Sequence, residues 1–216
     1  MQPVERTVIF ANGELPDPEY TRRLLRPTDR MIVANGGSRH ARALDVVPSL
    51  IVGDIDSLPP GIATWLDHHE VPQRQFPADK EATDLELAIA AAIEWGTDSI
   101  LLLGLAGNRL DHTLTNFALL AQASRHRIPI VAMVGRQQVT PVWRRSQLEG
   151  NVGDGVSLIP WGGPARGVHT RGLRWNLDDE TLAFESSRGI SNVLVDPVAE
   201  IQLDEGLLLV IHHRTD

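Results

Sequence analysis

The chain of 216 residues changes character at about residues 135 to 140, and that change constrains its fold more than any other feature. Before it, short apolar runs alternate with helix-like segments. Val8-Ile9-Phe10, Met31-Ile32-Val33, Leu50-Ile51-Val52, Ile100 to Leu103 and Ile128 to Val134 read as strands. Asp17-Pro18 opens a helix with proline at its first position. A helical stretch follows Gly36-Gly37 to Leu44, and Ile62 to His69 reads as a short helix. Thr83-Asp84-Leu85-Glu86 is a capping-box pattern for a helix ending near Gly96, and Asp111 to Arg125 reads as another helix. Runs this short and this apolar suit strands buried on both faces, and strand–helix alternation predicts a parallel sheet covered by helices. After the change, seven short strand candidates follow: Val139 to Trp143, Gly155 to Ile159, Gly167 to Arg171, Thr181 to Phe184, Asn192 to Val195, Glu200 to Leu203 and Leu207 to His212. Turn signals at Asn151 to Gly153, Trp161 to Pro164, Asp178-Asp179 and Asp204 to Gly206 separate several of them. That spacing without a helix predicts an antiparallel sandwich. The expected architecture is an α/β N-terminal domain over residues 1–137 (a parallel sheet flanked by helices), followed by an all-β sandwich domain over residues 138–216.

Composition narrows the function. The formal charge of −8, with no run of five Lys or Arg, argues against a nucleic-acid surface. The absence of cysteine excludes disulfides, thiolate zinc sites and thiol catalysis. No apolar stretch reaches ~18 residues, and residues 1–6 lack a signal-peptide layout, so a cytoplasmic protein with no membrane partner is expected. No G-x-x-x-x-G-K-[ST] loop and no G-x-S-x-G elbow is present. His112 and the pairs His68-His69 and His212-His213 lack zinc spacing.

Three acidic clusters border the strands and helices of the first half. They are Gly53-Asp54-Ile55-Asp56-Ser57, Asp79-Lys80-Glu81-Ala82-Thr83-Asp84 and Gly104-Leu105-Ala106-Gly107-Asn108-Arg109-Leu110-Asp111-His112. In an open parallel sheet, ligands bind beyond the carboxyl ends of the strands. The segments leaving those ends, Asn12-Gly13, Asn35-Gly36-Gly37, Gly53 to Ser57 and Gly104 to Asp111, should therefore gather on one edge. Carboxylates with a lysine, an arginine and glycines suit a magnesium-bound polyphosphate. On an extended strand end, Asp54 and Asp56 would point the same way, toward one cation. Plainer roles exist for each residue. Asp56 or Ser57 would cap the helix near Pro59, Thr83 would cap the next helix, and Asp84 would favour that helix's dipole. Lys80 would be a solvated charge, and Asp111 would cap the helix that follows it.

Taken together and in order, these elements resemble the thiamine pyrophosphokinase family, which carries Gly-Asp-Phe-Asp-Ser, Asp-Lys-x-x-Thr-Asp and Gly-Gly-Arg-x-Asp-His elements. Gly172 to Leu177, Ile190-Ser191-Asn192 and Gly206 to Ile211 continue the resemblance over nearly the whole chain. It implies an enzyme, a nucleotide-binding catalytic domain followed by a thiamine-binding sandwich, that moves the pyrophosphoryl group of ATP to thiamine and leaves AMP. It implies Mg2+ on Asp54, Asp56 and Asp84, and polyphosphate on Lys80 and Arg109. Asn12, Gly36, Gly37, His112 and Asn116 would belong to the ATP site. Asp111 would lie near the metal or thiamine, and Ser191, Asn192 and Trp175 would belong to the thiamine half, although an aromatic in a sandwich is more often core. The partners implied are ATP, thiamine and a second copy, in a homodimer whose sites are shared between subunits.

Three positions depart from the family pattern. Asn35 and Ser49 stand where aspartates are usual, which removes negative charge near the expected nucleotide site, and Asn108 replaces a glycine of the arginine loop. Two other readings remain open: a pyrophosphokinase for another alcohol such as a pterin, and a non-catalytic Mg-ATP sensor.

Overall fold

The structure, a computed structural model, describes residues 5–77 and 79–215. Residues 1–4, part of the segment read above for its lack of a signal layout, lie outside the described residues. The chain divides into two compact units, Met1–Gly135 and Arg136–Asp216.

The first unit carries a parallel sheet. Its strands are β1 (Arg6–Phe10), β2 (Arg30–Ala34), β3 (Leu50–Gly53), β4 (Gln73–Gln75), β5 (Ser99–Leu103) and β6 (Ile130–Val134). They lie in the order β6-β5-β1-β2-β3-β4, every pair parallel. The helices are α1 (Pro18–Leu24), α2 (Ser38–Ala43), α3 (Pro60–His68), α4 (Asp84–Glu94) and α5 (Leu110–Ala123).

Alternate strand residues face opposite sides of a sheet, which is why both helical layers are needed. Val8, Phe10, Met31, Val33, Ile51, Leu101 and Leu103 form one core with Ile62 and Leu66 of α3 and with Ala41 and Leu44 at α2. The intervening Ile9, Ile32 and Val52 are fully buried, and α4 packs against β1, β2 and β3 with Leu85, Ala88, Ile89 and Ala92 buried. Two helix starts follow their sequence signals. The Asp17 carboxylate accepts from the Tyr20 N–H at 2.9 Å, and Thr83 Oγ1 accepts from the Glu86 N–H at 3.2 Å.

Two expected caps differ. α3 begins after Pro59 with no side-chain cap, so neither Asp56 nor Ser57 fills that role. α5 begins at Leu110, with Arg109 in the cap position, so Asp111 lies inside the first turn. β4 was not expected from the sequence: Gln73-Arg74-Gln75 is an edge strand without an apolar side chain, and period-2 alternation has nothing to report there.

The second unit is a sandwich of two antiparallel sheets. Its strands are β7 (Gln137–Val142), β8 (Arg145–Glu149), β9 (Gly155–Pro160), β10 (Ala165–Arg171), β11 (Glu180–Leu182), β12 (Asn192–Val193), β13 (Val198–Gln202) and β14 (Leu208–His213). One sheet runs β12-β9-β14-β7 and the other β11-β10-β13-β8. Val142, Val156, Leu158, Leu208 and Val210 from the first meet Leu148, Val168, Leu182, Ala199 and Ile201 from the second in a single core. β8 was the unexpected strand here, because only Leu148 of its five residues is buried. Among the described residues no helix is long and apolar enough to cross a membrane.

Candidate nucleotide cleft

In the first unit's sheet the chain moves outward from β1 through β2, β3 and β4 on one side, while β5 and β6 add on the other. The switch point therefore lies between β1 and β5, where the loops beyond the strand ends would normally diverge to leave a crevice. Here they are stitched at their start. The Gly13 N–H donates to the Gly104 carbonyl and the Glu14 N–H to the Ala106 carbonyl, both at 2.7 Å. Beyond the stitch opens a cleft of about 510 Å³, lined by segments 11–14, 34–36, 80–85 and 105–116 among others.

Most of the expected nucleotide residues converge on this cleft. Asn12, Gly36, Lys80, Asp84, Arg109, His112 and Asn116 all line it, although they come from four separate stretches of sequence. Gly37 does not. It is buried under β1, where an added Cβ would collide with the Phe10 carbonyl, so its glycine serves packing. Asn116 is buried, and its Nδ2 donates to the Leu105 carbonyl at 2.7 Å, which anchors the loop after β5 to α5. Thr113, not foreseen, also ties this loop: Oγ1 accepts from the Gly107 N–H at 3.2 Å and donates to the Arg109 carbonyl at 3.1 Å.

The charged groups of the cleft are largely paired. Lys80 Nζ lies 3.0 Å from Asp84 Oδ1, an i,i+4 pair at the start of α4. That oxygen is buried and receives no well-directed hydrogen bond. Gly53, at a φ of 140°, passes so close that a Cβ there would stand 2.7 Å from Asp84 Oδ1. The glycine keeps the space in front of this carboxylate open. Arg109 Nε donates to Asp111 Oδ1 at 2.9 Å, and Nη2 bonds the other oxygen. This bond, helped by the His112 N–H, holds the Asp111 carboxyl well below the ordinary carboxylate range, and the same pairing raises Arg109. Both side chains are exposed, so water screens the pair and separating it costs little.

Asp54 and Asp56 are placed differently from the expectation. β3 stops at Gly53, Asp54 precedes a 3-10 turn, and Asp56 lies inside that turn over Ile55–Ser57. The strand geometry that would aim both carboxylates the same way therefore ends before Asp56. Gln75 Nε2 donates to Asp56 Oδ2 at 2.7 Å, and neither aspartate lines the cleft. Among the described residues no three acidic or histidine side chains are spaced to hold a metal ion.

Ser49 is a correction. Its N–H donates to the Met31 carbonyl at 2.7 Å at the start of β3, the opposite end of the strand from the cleft, so it removes no charge from the site. Asn35 and Asn108 do line the cleft; Asn35 adopts a φ of 41°, and its Nδ2 donates to Ser57 Oγ at 3.3 Å.

A family model described as "Thiamin pyrophosphokinase, catalytic domain" matches residues 21–132, more than half of the chain. The chain belongs to the thiamine pyrophosphokinase family. A second model of the same family, "Thiamin pyrophosphokinase, vitamin B1 binding domain", matches residues 145–208. Thiamine pyrophosphokinase 1 of Oryza sativa subsp. japonica is 27% identical over 179 residues, covering 77% of this chain and 67% of its own. The Bacillus subtilis thiamine pyrophosphokinase is 24% identical over 169 residues, 77% of this chain and 78% of its own. The fold agrees as well. The crystal structure of the B. subtilis protein superposes with a TM-score of 0.86 at 21% identity, covering 98% of this chain and 100% of that one. Yeast thiamin pyrophosphokinase superposes at 0.80 with 17% identity, covering 98% and 87%.

In the family's vitamin-binding half, the three residues singled out from sequence sit together on the second unit. The buried Asn192 carboxamide clamps the Trp175 backbone, Oδ1 accepting from its N–H at 3.1 Å and Nδ2 donating to its carbonyl at 2.7 Å. Trp175 itself is 58% exposed, against the ordinary expectation of a core aromatic. Ser191, at a φ of 61°, is also exposed, and its N–H donates to Ser157 Oγ.

Proposed function

We propose that this protein transfers the pyrophosphoryl group of ATP to the hydroxyethyl oxygen of thiamine, giving thiamine diphosphate and AMP. The observation that carries the reading is the family match over both units. The convergence of Lys80, Asp84 and Arg109 on one cleft at the sheet's switch point supports it. In the reaction the thiamine oxygen bonds to the β-phosphorus, the bond from that phosphorus to the α,β-bridging oxygen breaks, and the hydroxyl proton is lost.

Lys80 and Arg109 would take the phosphate oxygens, Arg109 through a two-point contact. Both give up a carboxylate to do so, since each is paired in the free protein. A magnesium ion carried by a polyphosphate needs only one or two protein carboxylates, and the buried, open-faced Asp84 Oδ1 fits that requirement. Asp54 and Asp56, which stand outside the cleft here, would join the set only if the turn over Ile55–Ser57 swings toward it. When bound, the ion neutralises charge that builds up on the transferred group. Asp111, held below its ordinary range by Arg109 in the free protein and released when Arg109 turns to phosphate, has its proposed place beside the metal or thiamine. Asn12, Gly36, His112 and Asn116 would shape the ATP site, while Trp175, Ser191 and Asn192 would serve thiamine.

The exposed Trp175, Phe184 and Ile190 of the second unit give apolar surface for a second copy, in keeping with a homodimer that shares its sites. A sedimentation mass of one 23.7 kDa chain would contradict the dimer. The match to a vitamin B1 binding unit favours thiamine over a pterin alcohol and a catalyst over a sensor. Offering both alcohols in parallel with Mg-ATP tests this: turnover is expected with thiamine, and faster turnover of the pterin would reverse the assignment.

A further inference from the structure

We propose that Arg39 binds the phosphate chain of the nucleotide and sets the cleft's preference for longer phosphate chains; this rests on the reading of the cleft as a nucleotide site. Arg39 stands in α2, and its Nη2 donates to the carbonyls of Asn12 at 2.9 Å and Gly13 at 2.7 Å, in the turn leaving β1 at the switch point. His40 Nε2 lies 2.7 Å from the same Gly13 carbonyl. Burial lowers the His40 pKa, only partly opposed by the Gly13 bond, and the neighbouring Arg39 charge lowers it further. The imidazole is therefore neutral at pH 7, and against a carbonyl acceptor its Nε2 carries the proton. The guanidinium is thus held from behind through Nη2, with Nε 3.4 Å from His40 Nε2, while the side chain lines the cleft.

Three strong cations line the cleft, and they differ in how they are compensated. Lys80 faces Asp84, and Arg109 is bound to Asp111. Arg39 has no carboxylate within ion-pair distance among the described residues, Glu14 of the same cleft included, and its Nη1 has no partner among them. A polyanion entering the cleft meets Arg39 as a charge already in place, with the two N–H groups of Nη1 left to meet phosphate oxygens. Lys80 and Arg109 must first leave their carboxylates. Arg39 is consequently the group whose contribution should scale with the number of phosphates, and should be absent for a nucleoside.

Calorimetric titration of the purified protein with ATP, ADP, AMP and adenosine, in Mg2+ and without thiamine, tests this. Arg39→Gln removes the charge and ends near the position of Nε, short of the two carbonyls, and Arg39→Lys keeps the charge but not the second terminal nitrogen. For Arg39→Gln, ATP is expected to bind about tenfold or more weakly, from the loss of a charged hydrogen bond. Adenosine affinity is expected to stay unchanged and the spread from ATP to AMP to narrow, even where loss of the two carbonyl bonds lowers the ligand-free melting temperature. Arg39→Lys should fall between. Wild-type ATP affinity in Arg39→Gln overturns the proposal, and so does equal weakening of ATP and adenosine, the signature of a residue that only ties the Asn12–Gly13 turn. A wild-type protein that binds none of the four overturns the nucleotide reading itself, and this proposal with it.

Discussion

Asp84→Asn is expected to lower turnover by ~10²-fold or more, the scale on which loss of one preorganised charge-stabilising group is felt in a transition state. The substitution preserves shape and removes one negative charge. The Asp84 Oδ1 is buried, faces the gap kept open by Gly53, and among the described residues has Lys80 alone as a close partner. If the pair with Lys80 were the residue's whole purpose, asparagine would cost only the small stability of a partly exposed ion pair and leave catalysis intact. Steady-state kinetics at saturating Mg-ATP, beside a melting curve, separates the two. Unchanged turnover with a lowered melting temperature would assign Asp84 to helix stability alone.

Asp154→Ala should destabilise the protein by about 3–5 kcal/mol, the range for removing one member of a buried pair. Asp154 and His212 are each 1% exposed, with His212 Nε2 2.7 Å from Asp154 Oδ2. The same carboxylate accepts the Thr215 N–H at 2.8 Å, the Thr215 hydroxyl at 2.7 Å and the Asn151 N–H at 3.0 Å. It therefore ties the end of the chain to the turn before β9. Burial pushes its carboxyl upward, but the bonds from Thr215, His212 and Asn151 outweigh that and hold it below the ordinary range. A carboxyl depressed in the folded state contributes stability above its unfolded pKa of about 3.9 and loses it as pH falls through the folded value. Wild-type stability should thus fall below about pH 4 more steeply than that of Asp154→Asn, which has no charge to titrate. Parallel slopes in denaturant melts across that range would contradict the account.

The sequence carried most of the fold because its interior strands are apolar runs and its helix starts have chemical signals. Asp17-Pro18 and Thr83 to Glu86 cap the helices they announce. β4 and β8 escaped because edge strands bury little, and a pattern of buried residues cannot report what is not buried. The site was legible in part at the level of which segments meet, since the strand-end rule gathers Asn12, Gly36 and Arg109 without any distance information, whereas Lys80 and Asp84 follow β4, which the apolar pattern misses. Side-chain direction was not. Whether the chain runs straight or turns after Gly53 decides where Asp56 points, and it turns. Ser49 precedes β3 whereas Asp54 follows it, so the two lie at opposite ends of the sheet despite being close in sequence. Arg39 reads as one more charge in a short helix, and only the fold brings it to the turn after β1.

Pyrophosphoryl transfer to thiamine is tested by product analysis after incubating the protein with Mg-ATP, with and without thiamine. AMP and thiamine diphosphate should appear in equal amounts, only when thiamine is present, and without ADP. Release of ADP, or of AMP at the same rate when thiamine is left out, would contradict it.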